Sequence, residues 1–152
     1  MFVIINKLLT GVINYMKILI FGLPGSGKTT FAKQLTADTA IPHFNADEVR
    51  GQFKDWDFSQ TGRIRQVTRM LDLCTIANKT CVVDFVCPYN LYRKDYDITV
   101  WINTIKSGRF EDTNKIFEKP DKVDYEIIDY NYKQIITDIR NKINESKRTN
   151  TY

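Results

Sequence analysis

The sequence is poor in the residues that build metal centres and covalent cross-links. Its one histidine, His43, rules out a site made from several imidazoles, and it has only three cysteines, Cys74, Cys81 and Cys87. Three is an odd number, and no spacing among them is the C-x-x-C of a zinc or redox centre. Cys81 and Cys87 lie in an apolar run where a thiol behaves as a small hydrophobe, so reduced cysteines in a cytoplasmic protein are expected. Long apolar runs are also missing. The first fifteen residues are apolar-rich but broken by Asn6 and Lys7, too short for a membrane span and followed by no small-residue cleavage site, so no membrane partner is expected. Only Lys147-Arg148 resembles a basic run. The net charge of +4 and pI near 8.9 therefore suit a pocket for a polyanionic small molecule as well as they suit nucleic acid. No internal repeat or linker divides the 152 residues, which predicts one domain. Residues 1–15 read as an extension, residues 16–145 as the folded domain and residues 146–152 as a polar tail. Met16, one residue before the first strand, would make a natural start, and Met1 stays open as the other.

What the sequence does have is one dominant motif. Lys17-Ile-Leu-Ile-Phe21 reads as a buried strand running into Gly22-Leu-Pro-Gly-Ser-Gly-Lys-Thr29, which fits G-x-x-x-x-G-K-[ST] at every fixed position. A helical pattern follows from Thr30 to Leu35. Gly22, Gly25 and Gly27 permit backbone angles closed to other residues and let main-chain N–H groups approach a phosphate. The helix N-terminus adds partial positive charge at the same point. Lys28 supplies a mobile charge for β- and γ-phosphates, and the Thr29 hydroxyl is placed to ligate Mg²⁺. The segment Gly22, Leu23, Pro24, Gly25, Ser26, Gly27, Lys28, Thr29 and Thr30 is thus the expected ATP site.

Further along, Ile41–Asn45 reads as a short extended segment ahead of Ala46-Asp-Glu-Val-Arg50. Asp47 reads either as a site carboxylate at a strand's carboxyl end or as a helix N-cap, with Arg50 on the surface. Gly51 to Ser59 is a polar loop carrying Phe53, Trp56 and Phe58, costly to expose unless they stack on something flat. Ser59 caps a helix expected over Gln60–Ala77, with Ile64, Val67 and Leu71 as its apolar stripe. Arg63, Arg65 and Arg69 lack acidic partners at i+4, which points some of them at a bound anion. Thr80–Pro88 reads as a central parallel strand, and Asp84 within it is the carboxylate a Walker B position offers to Mg²⁺. Tyr89–Lys94 is a short helix or turn. Asp97–Ile102 and Val123–Asp129 are further strands, and Tyr132–Ile143 is an amphipathic terminal helix. Asn103–Lys115 is a polar stretch where small-molecule kinases place a lid. Glu145–Tyr152 is read as a frayed tail. The alternation predicts a three-layer α/β fold, a P-loop NTPase fold with a mainly parallel five-stranded sheet.

Several stretches, in the same order, resemble the adenylylsulfate (APS) kinase family, which uses ATP to phosphorylate the 3′-hydroxyl of adenosine 5′-phosphosulfate. The phosphate loop resembles G-L-[SP]-G-[SA]-G-K-[ST]-T, and Asn45-Ala-Asp-Glu-Val-Arg50 is similar to D-G-D-N-[VI]-R. Phe58-Ser-x-x-Gly-Arg63-x-x-Gln66-x-x-Arg69 resembles F-S-x-x-D-R-x-x-N-[IV]-R-R. Phe85-Val-Cys-Pro88 with Arg93 is similar to F-I-S-P-Y-x-x-x-R, and Phe117-Glu-Lys-Pro120 to Y-E-x-P. The resemblance implies a kinase of sulfate assimilation using ATP and Mg²⁺, with Lys28 and Asp47 catalytic and Asp47 accepting the acceptor's proton. It further implies Arg50 and Arg63 on the phosphosulfate, Phe58 stacked on its adenine, and Gln66, Pro88 and Arg109 in the same pocket. Thr29 holds the metal, with Asp84 or Asp47 assisting. The implied partner is a small-molecule nucleotide acceptor, and a homodimer is left open.

The departures from the family pattern are Asn45 for the first acid, Gly62 for the acid before Arg63, Gln66 for an asparagine, and a lid cut down to Asn103–Ile116. Arg109-Phe110 stands where the family has Lys-x-Phe, with Lys106 and Lys115 nearby. Two other readings stay open. One is the same chemistry on a polynucleotide 5′-hydroxyl, a nucleoside or a sugar; nucleic acid is the less favoured of these partners. The other is a nucleotide-binding protein without transfer.

Overall fold

The computed structural model describes residues 15–148. The extension over residues 1–14 and the tail beyond residue 148 lie outside the described residues. The strongest core elements are three largely apolar, buried strands, β1 (Lys17–Phe21), β3 (Cys81–Phe85) and β4 (Ile98–Ile102). A strand apolar at successive positions must be covered on both faces, which is the situation of a central parallel strand. With β2 (His43–Asn45) and β5 (Tyr125–Ile127) they form one five-stranded sheet of order β2-β3-β1-β4-β5, parallel throughout. The expectation of a mainly parallel sheet is met without exception.

Because side chains alternate along a strand, β1 feeds two cores. Ile18 and Ile20 pack with Val82, Val100 and Ile127 under α1 (Lys28–Thr36) and α6 (Lys133–Arg148), through Phe31, Leu35, Ile136, Ile139 and Ile143. Leu19 and Phe21 pack with Val83 and Phe85 under α2 (Ala46–Phe53) and α3 (Gln60–Ala77), through Val49, Val67, Met70 and Cys74. Each fully buried Leu, Ile or Phe contributes about 1.5–3 kcal/mol, so the two layers hold the sheet rigid between them. Phe31 meets Tyr132 edge-on at 4.8 Å. Arg140 of α6 donates to the carbonyls of Gln34 (2.8 Å), Leu35 (3.2 Å) and Ala37 (3.2 Å), capping the C-terminal end of α1 where orphan carbonyls would otherwise need water.

Several expectations are corrected. The first helix begins at Lys28, not Thr30. The buried face of α3 runs through Gln66, Val67, Met70 and Cys74; Ile64 is exposed and Leu71 only half-buried, so the inward stripe is rotated from the one expected. The polar stretch after β4 contains a helix, α5 (Glu111–Ile116), and the last strand shrinks to three residues. The terminal helix continues through Arg148 instead of fraying at Glu145. The short helix α4 (Asn90–Arg93) falls where expected. Cys74, Cys81 and Cys87 are buried and free, and among the described residues no helix is long and apolar enough to cross a membrane.

Candidate functional site

An all-parallel sheet brings every strand's carboxyl end to one edge, and the loops leaving those ends enclose a cavity of about 870 Å³. Its donor wall is the turn between β1 and α1. A β-carbon on Gly22 would meet the Ile102 carbonyl oxygen at 2.5 Å, and Gly25 and Gly27 sit at φ 83° and 100°. The turn is closed by Ser26 N–H on Leu23 O (3.2 Å) and braced from outside by Thr104 Oγ1 on Ser26 O (2.6 Å). Pro24, Gly25, Gly27, Lys28, Thr29 and Thr30 line the cavity, whereas Gly22, Leu23 and Ser26 are buried and shape the turn beneath them. Lys28 Nζ donates to Leu23 O at 2.9 Å. Burial pushes its pKa down to about 8, against the opposing pull of Asp84 and Asp47.

Behind Lys28 lies a buried polar cluster. Asp84 is 1% exposed and accepts from Thr29 Oγ1 (3.1 Å), from Asn45 Nδ2 (3.1 and 3.3 Å) and from His43 Nε2. Thr29 and Asp84 thus face each other as an oxygen pair. No cluster of three or more His, Cys, Asp or Glu suited to a metal occurs among the described residues. Two protein oxygens fit Mg²⁺, which takes few protein ligands and completes its octahedron with water and phosphate oxygens.

Asp47 lines the same cavity, and the structure settles its alternative reading. The N-cap of α2 is Asn45, whose side chain accepts from Glu48 N–H at 3.1 Å. Asp47, one residue into the helix, is exposed and has no capping duty.

A second wall is the loop from Lys54 to Ser59, folded back against α3. Arg50, 4% exposed, donates to the carbonyls of Asp55 (3.0 Å) and Asp57 (3.1 Å), so it holds the loop from within rather than lying on the surface. Arg65 forks onto Asp55 (2.7 and 3.1 Å) and reaches Asp57 (3.1 Å), and Arg69 pairs with Asp55 at 2.7 Å. These two cations expected to face an anion are therefore spent on the loop; their partners come from an irregular segment, not from i+4. The Arg65 fork holds the Asp55 carboxyl well below the usual carboxylate range. Trp56 (57% exposed) and Phe58 (49%) stand at the cavity rim, with the Arg50 guanidinium 4.3 Å and that of Arg63 5.6 Å from the Phe58 ring centre.

The segment after β4, where a lid was expected, also reaches the cavity. Asn114 closes a knuckle by exchanging hydrogen bonds with Gly108 (2.8 and 2.9 Å), which sends Arg109 and Phe110 into the cavity rim. Arg63 bridges from α3 to Asp112 and Thr113 of the lid, 3.3 Å each. Gln66 lines the cavity while its amide donates to Ala46 O at 3.0 Å. Pro88 also lines it. The cavity thus gathers Lys28, Asp47, Arg50, Phe58, Arg63, Gln66, Asp84, Pro88 and Arg109 from seven separate segments.

Three residues were undervalued from sequence. Arg93, buried between Phe21 (4.3 Å) and Phe117 (4.9 Å), donates to Cys87 O (2.9 Å), Pro88 O (3.1 Å) and Asn90 Oδ1 (2.8 Å), and so sets the floor of the pocket. His43 and Asn45 are the others. The signal for them was the polar–apolar–polar order His43-Phe44-Asn45, which in a strand puts both polar side chains on one face.

Comparison with known proteins agrees with this geometry. A family model described as an AAA domain, AAA_33, matches residues 18–97, more than half of the chain. The chain belongs to the AAA_33 family. The match runs from β1 through the phosphate loop, both walls' helices and β3 to the start of β4. Among solved structures, AAA_33 chain and APS kinase of Mycobacterium tuberculosis, solved with AMPPNP and APS, superpose with a TM-score of 0.65 at 16% identity, covering 84% of this chain and 96% of that one. A Janibacter sugar kinase gives 0.62 at 14% identity (91% and 100% covered), and Acinetobacter baumannii shikimate kinase with shikimate gives 0.58 at 16% (88% and 96%). At these identities the likeness shows the fold, a P-loop kinase fold, and does not choose among acceptors. No curated protein sequence matches this AAA_33 member.

Proposed function

We propose that this chain is an ATP- and Mg²⁺-dependent kinase acting on the 3′-hydroxyl of a nucleotide of the adenosine 5′-phosphosulfate type. The observation that carries the reading is the placement of Lys28 and an exposed Asp47 carboxylate in one cavity that Phe58 and Phe110 also line. Lys28 and the loop amides hold the β- and γ-phosphates. The acceptor oxygen attacks the γ-phosphorus, its proton passes to the Asp47 carboxylate, and the bond to the β–γ bridging oxygen breaks to release ADP. Thr29 and Asp84 would hold Mg²⁺, which when bound neutralises charge on the phosphate oxygens. Phe58 and Phe110 offer flat apolar surfaces for a base, and Arg109 an exposed cation for its anion.

A second reading, a neutral sugar or nucleoside acceptor, is favoured by one observation. Arg50 and Arg63, the cations implied for the phosphosulfate, are both engaged by protein oxygens. A coupled kinase assay across adenosine 5′-phosphosulfate, nucleosides, sugars and 5′-hydroxyl oligonucleotides tests both. Turnover with adenosine 5′-phosphosulfate at least tenfold above the others supports the first reading; turnover with a neutral acceptor alone replaces it. ATP binding with no transfer to any acceptor removes the enzyme reading.

A further inference from the structure

The polar cluster behind Lys28 contains two residues that neither the phosphate-loop motif nor the acceptor pocket accounts for. In the parallel pairing of β2 with β3, His43 lies opposite Val82 and Asn45 opposite Asp84. Two-residue periodicity puts His43 and Asn45 on the same face, while Phe44 turns to the other face and packs into the core with Val49 and Val83. Both polar side chains reach Asp84: Asn45 Nδ2 meets Oδ1 at 3.1 Å and Oδ2 at 3.3 Å, and His43 Nε2 meets Oδ2. Asp84 is therefore gripped by its neighbour strand while its Oδ1 accepts from the Thr29 hydroxyl at 3.1 Å.

Asn45 does more than grip. Its Nδ2 also donates to Thr29 Oγ1 (3.1 Å), and its Oδ1 accepts from Glu48 N–H (3.1 Å), the cap of α2. The amide thus uses its donor end on the oxygen pair and its acceptor end on the helix that carries Asp47 two residues later. Reversing the amide would set its oxygen against the Asp84 carboxylate, so both ends agree on one orientation. An aspartate here could still cap the helix. It could not donate to Thr29 or Asp84, and it would put a second carboxylate within 3.1–3.3 Å of Asp84, where like charges resist joint ionisation. The side chain that departs from the resembled D-G-D pattern is the one whose chemistry this cluster needs.

We propose that His43 and Asn45 are positioning residues that fix the Asp84 carboxylate against Thr29 for the magnesium–nucleotide complex, and that Asn45 ties this pair to the helix bearing Asp47. The proposal rests on the nucleotide and metal part of the kinase reading, not on which acceptor is used. Partners that orient a metal ligand typically contribute about 10–100-fold in metal affinity.

The test separates this role from capping and from folding. Asn45→Ser keeps a side-chain oxygen able to cap α2 but loses the amide donor. His43→Leu removes the second grip, and His43→Gln returns a donor near the Nε2 position. Full-length protein is titrated with a fluorescent ADP analogue in EDTA, then with Mg²⁺ at fixed analogue, alongside thermal melting. Affinity in EDTA is expected to stay within about twofold of the parent in all three variants, because the phosphate-loop amides are untouched. The Mg²⁺ concentration for half-maximal enhancement should rise about 10–100-fold in Asn45→Ser and His43→Leu and return to within a few-fold in His43→Gln. Unchanged Mg²⁺ dependence in the first two variants overturns the proposal. So does an equal loss of affinity in EDTA, which would mark a merely structural role. A parent that fails to bind the analogue at all brings down the nucleotide reading itself, a distinct outcome.

Discussion

A β-carbon on Gly62 would lie 2.2 Å from the Asp57 carbonyl oxygen and 2.5 Å from its carboxyl carbon. The first turn of α3 and the aromatic loop occupy each other's space, and only a residue without a side chain allows it. The Asp57 carboxyl group, brought in from the loop, occupies the space that a side chain at position 62 would need. Gly62→Ala must therefore push the loop away from the helix. Overpacking of this kind costs about 1–3 kcal/mol. We expect a lower melting temperature and a raised KM for the acceptor, with the Kd for ADP in EDTA unchanged. A variant with parental acceptor KM would show that the loop has no part in acceptor binding.

Asp47→Asn should keep the fold, since Asn45 carries the cap. Loss of a positioned general base lowers turnover by about 10²–10⁴-fold. Nucleotide Kd should stay within about twofold, because the phosphate loop supplies that binding. Rapid-quench measurement of a single turnover checks the chemical step directly, and a parental rate would exclude Asp47 from it.

Lys28 supplies a pH dependence whose sign can be worked out. Burial lowers its pKa from 10.5 to about 8 in the free protein, so the ammonium is lost as pH rises through 8. Phosphate binds the charged form and draws the pKa back up, so binding takes up a proton above pH 8. The affinity for ADP in EDTA should hold between pH 6 and 7 and weaken between pH 8 and 9.5, by at most about tenfold per unit. Lys28→Met should be weak throughout and flat. Calorimetry in buffers of different ionisation enthalpy will detect the proton directly.

Arg140 makes three contacts with the last turn of α1 and none with the cavity. Arg140→Ala should lower stability by about 1–3 kcal/mol by leaving those carbonyls without their charged donor, or roughly 2–10 °C in melting temperature for a chain of this size. ADP affinity in EDTA should be unaffected at 20 °C. A variant that melts like the parent would show that solvent satisfies those carbonyls equally well.

Much of this architecture could be read from residue order because the relevant signals are local. Lys17–Phe21 is apolar at four successive positions, and Ser59 caps a helix that spans Gln60–Ala77 as its pattern required. What escaped was held by distant partners. Glu111–Ile116 is too short for helical periodicity to speak, and its placement comes from the Asn114–Gly108 knuckle and the bridge from Arg63. Arg65 and Arg69 seemed free because their counter-charges, Asp55 and Asp57, sit in a loop whose path no repeat predicts. The three-residue strand His43–Asn45 was legible as extended, but the aim of its polar side chains depended on β3 lying next to it.

The parallel order also divides labour along the chain. The phosphate-loop motif occupies residues 22–30, between the central strand and its helix, with Gly22, Leu23 and Ser26 buried beneath the turn. Residues 54–58 and 103–117, which bring Phe58, Arg109 and Phe110 to the cavity rim, contain no strand. Substitutions confined to those two segments leave every strand and the phosphate-loop turn in place, so the rim of the cavity can vary while its base is inherited intact.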